Sequence, residues 1–346
     1  METSLYRQVV ELRRPIQASL ETHAQRTRLF LRVDHDGVDG VGEISPQPSA
    51  LNGDPGLDEV LGALRDALVR LEELSEREGE VPHWSRAARL GSGAPRDNAA
   101  YALIEMALFD RELRRDEVLV EDVWSPAHHT PWQQTVSILD EQDWSLDERV
   151  ERVRVKCAPG PLSASAQERL RELRVPVLLD FNCSATCDDD VLELTRAVAR
   201  CASLDAVEQP YPVGNLVDHA RLAARLDVAL SLDEGVRSLR DLAQIVNYGA
   251  ASMLCVKPAR VGGLANARTL ITRAQGRGLR VYLGGFFESA YARRVHRALA
   301  ASCVIEPSDL AEVQVANDID LVLTPTSFGL EPALVSRGEL EPVSLL

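Results

Sequence analysis

The chain has 346 residues, 45% hydrophobic and 26% charged, which is long enough for two domains and apolar enough for a sizeable core. Its 53 acidic side chains outnumber the 38 basic ones and leave a net charge of −15, which argues against a nucleic-acid partner and an anionic membrane surface. A small anionic substrate stays compatible, because a bound cation can dominate a local site.

No apolar run approaches the roughly 18 to 20 residues of a membrane span, and the start "METSLYRQVVELRRP" lacks the apolar stretch of a signal peptide, so a cytoplasmic location is expected. The six cysteines (157, 183, 187, 201, 255 and 303) form no Cys-x-x-Cys pair and read as reduced core or loop thiols.

The first third reads as α+β. Residues 5–13, 27–34 and 38–44 alternate as strands do, and "DHDGVDG" supplies an Asp-Gly turn between the last two. Leu57, Val60, Leu61, Leu64, Leu68 and Leu71 follow at helical spacing. A second helix is expected over 97–115, with Asp97 as its cap. The stretch 116–134, with two prolines and no clean period, marks a domain junction, and His128–His129 inside it reads as a surface or interface pair.

From about residue 134 short apolar runs alternate with amphipathic helices such as 188–202. Seven or eight strand–helix units in succession imply a parallel sheet closed into a (β/α) barrel. No Gly-x-Gly-x-x-Gly follows any strand, which disfavours a dinucleotide fold.

The strand ends carry Lys156, Asp180, Glu208, Asp233, Lys257 and Glu288, at spacings of 24, 28, 25, 24 and 31 residues, about one unit each. Residues recurring once per unit at strand C-termini face one barrel mouth, where barrel enzymes keep their sites. Asp180, Glu208 and Asp233 would repel one another in a dry cavity, and a hard divalent cation resolves that. An all-oxygen set favours Mg²⁺, with Mn²⁺ as a substitute, over zinc. Lys156 and Lys257 flank the trio on opposite sides, and Arg154 lies on the same strand face as Lys156. The chemistry this suggests is abstraction of a proton α to a carboxylate, with a lysine as base and the metal stabilising the developing charge. Glu234 and Asn182 read as partners that orient these groups, and Gly284 and Gly285 as an approach for the substrate carboxylate. Glu288 and Ser289 are candidates to line the site.

These motifs resemble the enolase superfamily, in its muconate-lactonising-enzyme subgroup. "FLRVDHDGVDGVGEISP" resembles the capping-domain hairpin, "RVKCAPG" the Lys-x-Lys motif with Lys156 at the second lysine, "LLDFN", "VEQP" and "SLDE" the ligand strands, and "VKPARVGGL" the strand of Lys257. The resemblance implies a (β/α)7β modified TIM barrel with an α+β capping domain built from the N-terminal segment and the C-terminal tail. The expected boundaries are 1–125 for the cap, 126–320 for the barrel and 321–346 for the returning segment.

Within the subgroup "EQPYPVGNLVDHARLA" and "VKPARVGG…YLGGFFES" look most like o-succinylbenzoate synthases and N-succinylamino-acid racemases. This implies a carbon–oxygen lyase of menaquinone synthesis, in which Lys156 removes the α-proton and returns it to departing hydroxide. The alternative is an N-acylamino-acid racemase or dipeptide epimerase, with Lys257 as second acid/base. A Schiff-base aldolase using Lys257 and a degenerate binding barrel are more distant. A small carboxylate substrate is expected, and a homo-oligomer is compatible with it.

The departures are Arg154 at the first motif lysine, Phe181 and Cys183 around Asn182, the bulky Phe286, Phe287 and Tyr291, and a C-terminal stretch that fits the family's closing segment only loosely. They lie near where the substrate's distal end would bind, and the sequence leaves open whether they reshape that pocket. The loops 15–27 and 45–56 would, by the same resemblance, fold over the mouth.

Overall fold

The computed structural model describes residues 1–17, 22–87, 94–124, 131–139, 144–311, 313, 315 and 340–344. Strands β1 (Glu2–Gln17), β2 (Thr22–His35) and β3 (Val38–Ile44) form an antiparallel sheet. The first two extend beyond the alternating stretches at 5–13 and 27–34. Their ladder shifts register between Glu11 and Ile16, the irregular segment that contains Pro15, which cannot donate to a regular ladder. Helix α3 (Pro95–Arg115) packs on β2 and β3, and α1 (Leu57–Glu78) and α2 (Trp84–Ala87) pack against α3. Leu29, Leu31, Leu64 and Leu103 meet there without exposure, each worth roughly 1.5–3 kcal/mol of burial.

The N-cap of α3 is Ala94 with Pro95 at the first helical position, and no side chain caps it. The expected cap, Asp97, lies inside the first turn instead, because proline has no N–H to leave unsatisfied there. A short α4 (Val120–Val123) follows.

Seven parallel strands then run in chain order: β4 (Trp132–Ser137), β5 (Val150–Lys156), β6 (Val177–Asp180), β7 (Leu204–Glu208), β8 (Ala229–Leu232), β9 (Met253–Val256) and β10 (Arg280–Leu283). Between and after them lie α5 (Ala164–Glu172), α6 (Asp188–Ala199), α7 (Leu216–Ala223), α8 (Leu239–Tyr248), α9 (Pro258–Val261), α10 (Leu264–Gln275) and α11 (Ala290–Cys303). Ser308 bridges Trp132 of β4 and Asp309 bridges Gly284 just after β10, both in parallel sense. Two residues thus stand where an eighth strand would close the barrel. The fold is a modified TIM barrel with an α+β cap. The last described strand, β11 (Glu341–Pro342), pairs antiparallel with Tyr6 and Arg7 of β1, so this segment adjoins the cap sheet. Residues 316–339 lie outside the described residues.

Alternation along each barrel strand sorts its side chains into two environments. Val153, Val155, Val177, Leu179, Val207 and Leu254 join the core shared with the helices. Leu178, Ala206, Met253, Cys255 and Tyr282 form a smaller apolar plug. On β5 the inward set is polar: Arg152, Arg154 and Lys156 alternate with Val153 and Val155, and all three are buried.

Candidate active site

Parallel pairing puts Lys156 beside Asp180 and Asp180 beside Glu208 at the ends of β5, β6 and β7. Asp233 and Lys257 each follow the last residue of their strand, β8 and β9. Asp180, Glu208 and Asp233 have no solvent exposure. Lys156 Nζ donates to Asp180 Oδ2 at 2.7 Å and Asn182 Oδ1 at 2.6 Å. Across the mouth Lys257 Nζ donates to Asp233 Oδ2 at 2.9 Å. The sequence ladder is therefore assembled, except for its sixth rung. β10 ends at Leu283, and Glu288 lies in the following turn, accepting from the Phe286 N–H at 2.8 Å and facing Arg293 at 3.3 Å.

Arg154 is the hub of the cluster. Its Nε donates to Glu208 Oε2 at 3.0 Å, and its Nη2 contacts Glu208 Oε1, Asp180 Oδ2 at 2.7 Å and Asp233 Oδ2 at 3.5 Å. Burial alone would push all three carboxyls up. For Asp180 that is overcome by Arg154 and Lys156, and for Asp233 by Arg260, Lys257 and Arg154, so both are held below the usual carboxylate range. Glu208 stays raised, because burial and its two anionic neighbours outweigh Arg154. Burial lowers the affinity of Lys257 for its proton, but the Asp233 carboxylate overcomes this and raises its pKa.

Glu234 accepts from Asn182 Nδ2 at 3.2 Å, which links it through Asn182 to Lys156, and burial with the Asp233 and Asp180 charges pushes it up to about 7. Its Oε2 is buried without a hydrogen-bond partner among the described residues. Asn182 and Cys183 both hold positive φ, 45° and 66°, at the end of β6. This is a sparsely populated conformation that the chain keeps where its polar groups must be aimed.

The cluster opens into a cavity of about 740 Å³ between barrel and cap, where Arg154, Lys156, Lys257, Asn182 and Glu234 form part of the wall. Arg13, Arg14 and Ile16 of β1, His23 of β2, and Gln47, Leu51 and Asn52 also line it. Both stretches expected over the mouth contribute, but 15–17 and 22–27 belong to β1 and β2 rather than to a loop, and residues 18–21 lie outside the described residues. His23 is held neutral, pushed down to about 3 by burial and then by Arg26, Lys156 and Lys257.

Other sequence expectations need correction. Ser289 does not line the cavity. Its hydroxyl and N–H donate to Glu43 of β3 at 2.5 and 2.6 Å, which ties barrel to cap. Gly284 does not approach the cavity either. A Cβ there would stand 2.7 Å from Cys255 Sγ and 3.0 Å from Lys257 Cε, so its lack of a side chain gives Lys257 its path. Gly285 does line the cavity, as do Phe286 and Phe287, with Lys257 Nζ 4.7 Å from the Phe286 ring centroid. Phe181 alternates away from the mouth into the helix-side core, and Tyr291 donates to the Val41 carbonyl of the cap. Neither reshapes the pocket. The His128–His129 pair lies outside the described residues.

Four contributors went unrecognised in the sequence. Arg260, one helical turn after Lys257, binds Asp233 and also Asp54 of the cap at 2.8 and 2.7 Å. Tyr282 donates its hydroxyl to Glu208. Gln209 Oε1 accepts from the Asp233 and Gly235 N–H groups at 3.0 and 3.1 Å and orders the end of β8. His23 fell in a stretch read as a loop, which the structure makes the start of β2. The i+3 spacing of Arg260 and the inward alternation of Tyr282 were the available signals.

Three buried carboxylates at one barrel mouth, with a further orphaned carboxylate oxygen beside them, are the donor chemistry of a hard divalent cation. Among the described residues, oxygens of Glu208 and Asp233 lie with Cys255 Sγ within 4.8 Å of one another. Asp180 is not in that group; its Oδ2 meets the same Arg154 Nη2 that contacts Glu208 and Asp233. The residues fit the ion by their chemistry, and a cationic side chain already sits among them.

A parallel barrel with acid and lysine side chains at its C-terminal mouth, under a cap that completes the cavity, defines a capped barrel enzyme. Residues 144–337 match the enolase C-terminal domain-like family, and residues 1–123 match the N-terminal domain of the mandelate racemase and muconate lactonizing enzyme family. The chain belongs to the enolase superfamily, in the muconate-lactonising-enzyme subgroup. It is 27% identical over 316 residues to an o-succinylbenzoate synthase of Bacillus subtilis, covering 86% of this chain and 81% of that protein. It is 29% identical over 322 residues to an N-succinylamino acid racemase of an Amycolatopsis species, covering 84% and 82%. The crystal structure of an enolase-superfamily member from Listeria innocua superposes with a TM-score of 0.81 at 20% identity, over 99% of this chain and 98% of that one. That last likeness concerns the fold. No described helix is long and apolar enough to cross a membrane.

Proposed function

We propose that the protein abstracts the proton α to a carboxylate in a Mg²⁺-dependent reaction, and that this reaction is the syn-dehydration forming o-succinylbenzoate. The observation that carries the reading is the pair of lysines on opposite sides of one buried carboxylate cluster, both bordering the same cavity. Asp180, Glu208 and Asp233 would hold the ion. When bound, it would supply a Lewis acid for the charge that develops on the substrate carboxylate.

Lys156 is the base. Asn182 and Asp180 fix its Nζ at the wall, and the Glu234–Asn182 link fixes the amide. Having taken the α-proton, the Lys156 ammonium donates it to the departing hydroxide on the same face. Lys257, with the Phe286 face beside it, stabilises the enolate charge from the other side. Arg13 and Arg14 on the cap wall suit a second carboxylate at the distal end of the substrate. The o-succinylbenzoate synthases among the relatives support dehydration as the first reading.

A second reading, racemisation of an N-succinylamino acid, is favoured by the position of Lys257, which suits an acid on the face opposite Lys156. The named N-succinylamino acid racemases support it.

Incubation in D₂O with Mg²⁺, followed by proton NMR, separates the two. The hydrated cyclohexadiene precursor of o-succinylbenzoate should lose water. Exchange of the α-proton of N-succinylamino acids without water loss would favour the racemase. Neither reaction with any succinylated acid or dipeptide would overturn the assignment.

A further inference from the structure

The Arg154 guanidinium lies where the three carboxylates converge. Its Nη2 is 2.7 Å from Asp180 and 3.5 Å from Asp233 and bonds Glu208, while its Nε takes the other oxygen of Glu208. The guanidinium presents its donors in one rigid plane, so Nε and Nη2 together take both oxygens of Glu208 while Nη2 also meets Asp180. The side chain is also within reach of a second partner. Its Nη1 is 3.7 Å from Asp309, a partly exposed carboxylate on the cavity wall that accepts from Thr135 Oγ1 at 3.0 Å.

We infer that Arg154 is a built-in competitor of the divalent ion: it neutralises the three carboxylates while the ion is absent and moves toward Asp309 when the ion binds. Two cationic centres cannot share one set of buried oxygens without strong repulsion, so each ion bound displaces one guanidinium. Metal affinity is then set partly by how firmly Arg154 holds the site, and the metal-free chain keeps a stable, charge-paired barrel mouth. This inference rests on the reading of Asp180, Glu208 and Asp233 as the ion's ligands. Arg154 acts as a positioning residue for that ion.

The test is Mn²⁺ binding to the full chain, read by the electron paramagnetic resonance signal of free Mn²⁺, in wild type, Arg154→Lys, Asp309→Asn and Asp180→Asn. Competition predicts that Arg154→Lys binds Mn²⁺ about tenfold more tightly and that its metal-free form melts at a lower temperature than wild type. Asp309→Asn, which removes the landing place, should bind several-fold more weakly. Equal or weaker binding by Arg154→Lys, with Asp180→Asn still abolishing it, overturns the competition and leaves the ligand assignment standing. Absence of Mn²⁺ binding in wild type and Arg154→Lys alike overturns both. Should Arg154→Lys fail to fold, the arginine Nε–H resonances of ¹⁵N-labelled wild type decide the matter. Mg²⁺ must shift one strongly protected Nε–H signal, and a spectrum unchanged at saturating Mg²⁺ overturns the inference.

Discussion

Two charge networks occupy the two ends of this barrel, and they begin on the same face of the same strand. At the N-terminal end Arg152 bonds Asp205 at 2.9 Å, Gln133 at 2.5 Å and the Pro307 carbonyl at 2.7 Å, and stacks on Tyr282. Arg280 completes it with double contacts to Asp205 and Glu306. Two arginines there meet two carboxylates that retain some exposure, and both carboxylates are shared between the arginines. At the C-terminal end, two residues on, Arg154 meets three carboxylates with no exposure, and two lysines and a 740 Å³ cavity adjoin them. In the lower network every carboxylate oxygen is met by an arginine, and only Gln133 Nε2 lacks a hydrogen-bond partner among the described residues. The upper one concentrates charge beyond what Arg154 alone can satisfy and is open on one side. An arginine–carboxylate cluster is therefore structural or functional according to whether it is complete, not according to its residue types.

The largest effect that would sharpen this contrast is at the upper end. Lys156→Ala should lower α-proton exchange by about 10³-fold or more with the fold intact, as measured by NMR in D₂O and circular dichroism. Loss of the fold instead would make the upper network structural too. At the lower end Arg152→Ala should cost about 3 kcal/mol in urea unfolding, because it strands buried acceptors, while exchange per folded molecule stays within about twofold. A large loss of turnover there would break the comparison. Gly284→Ala should reduce exchange by about 100-fold by pushing Lys257 out of line, with a smaller change in melting temperature.

The smallest effect concerns pH. Asp205 is lowered because Arg280 and Arg152 outweigh its burial, so its contribution is present above the unfolded value near 3.8 and is lost as pH falls through the lower folded value. Asp205→Asn should lower stability slightly at neutral pH and flatten the acid limb of the unfolding curve below pH 4. Glu105, which accepts from the Leu264 and Ala265 N–H groups at the start of α10, has the opposite sign. Burial pushes it up to about 8, so its contribution fades as pH rises from about 4.5 to 8. Unfolding at pH 3, 5 and 8 compares the two.

Much of the site was legible because a parallel barrel repeats. Asp180, Glu208, Asp233, Lys156 and Lys257 recur once per strand–helix unit, and a residue at a strand end has only one mouth to face. Glu288 broke that rule because β10 ends at Leu283 and Glu288 falls in the turn before α11, and the spacing of 31 residues was the warning. Ser289 was misplaced for a related reason: its partner, Glu43, is 246 residues away on the cap, and no local pattern reports it. Phe181 looked like a pocket residue beside Asp180, yet strand alternation sends neighbouring side chains to opposite faces. Asp97 lost its capping role because Pro95 starts the helix two residues earlier, with Ala94 at the cap, a preference visible in the sequence.

By itself the sequence determined the order of elements, the capped barrel and the five charged positions at its mouth, since these follow from periodicity and repeat length. Tertiary structure decided what those charges do to one another. Arg260, Asp54, Tyr282, Gln209 and His23 reach the site only through side-chain direction and the docking of the cap. Arg154 bridges three carboxylates that lie 26, 54 and 79 residues away in the chain. The energy of such a cluster depends on distances of a few ångströms in a dry interior, and no one-dimensional pattern encodes those.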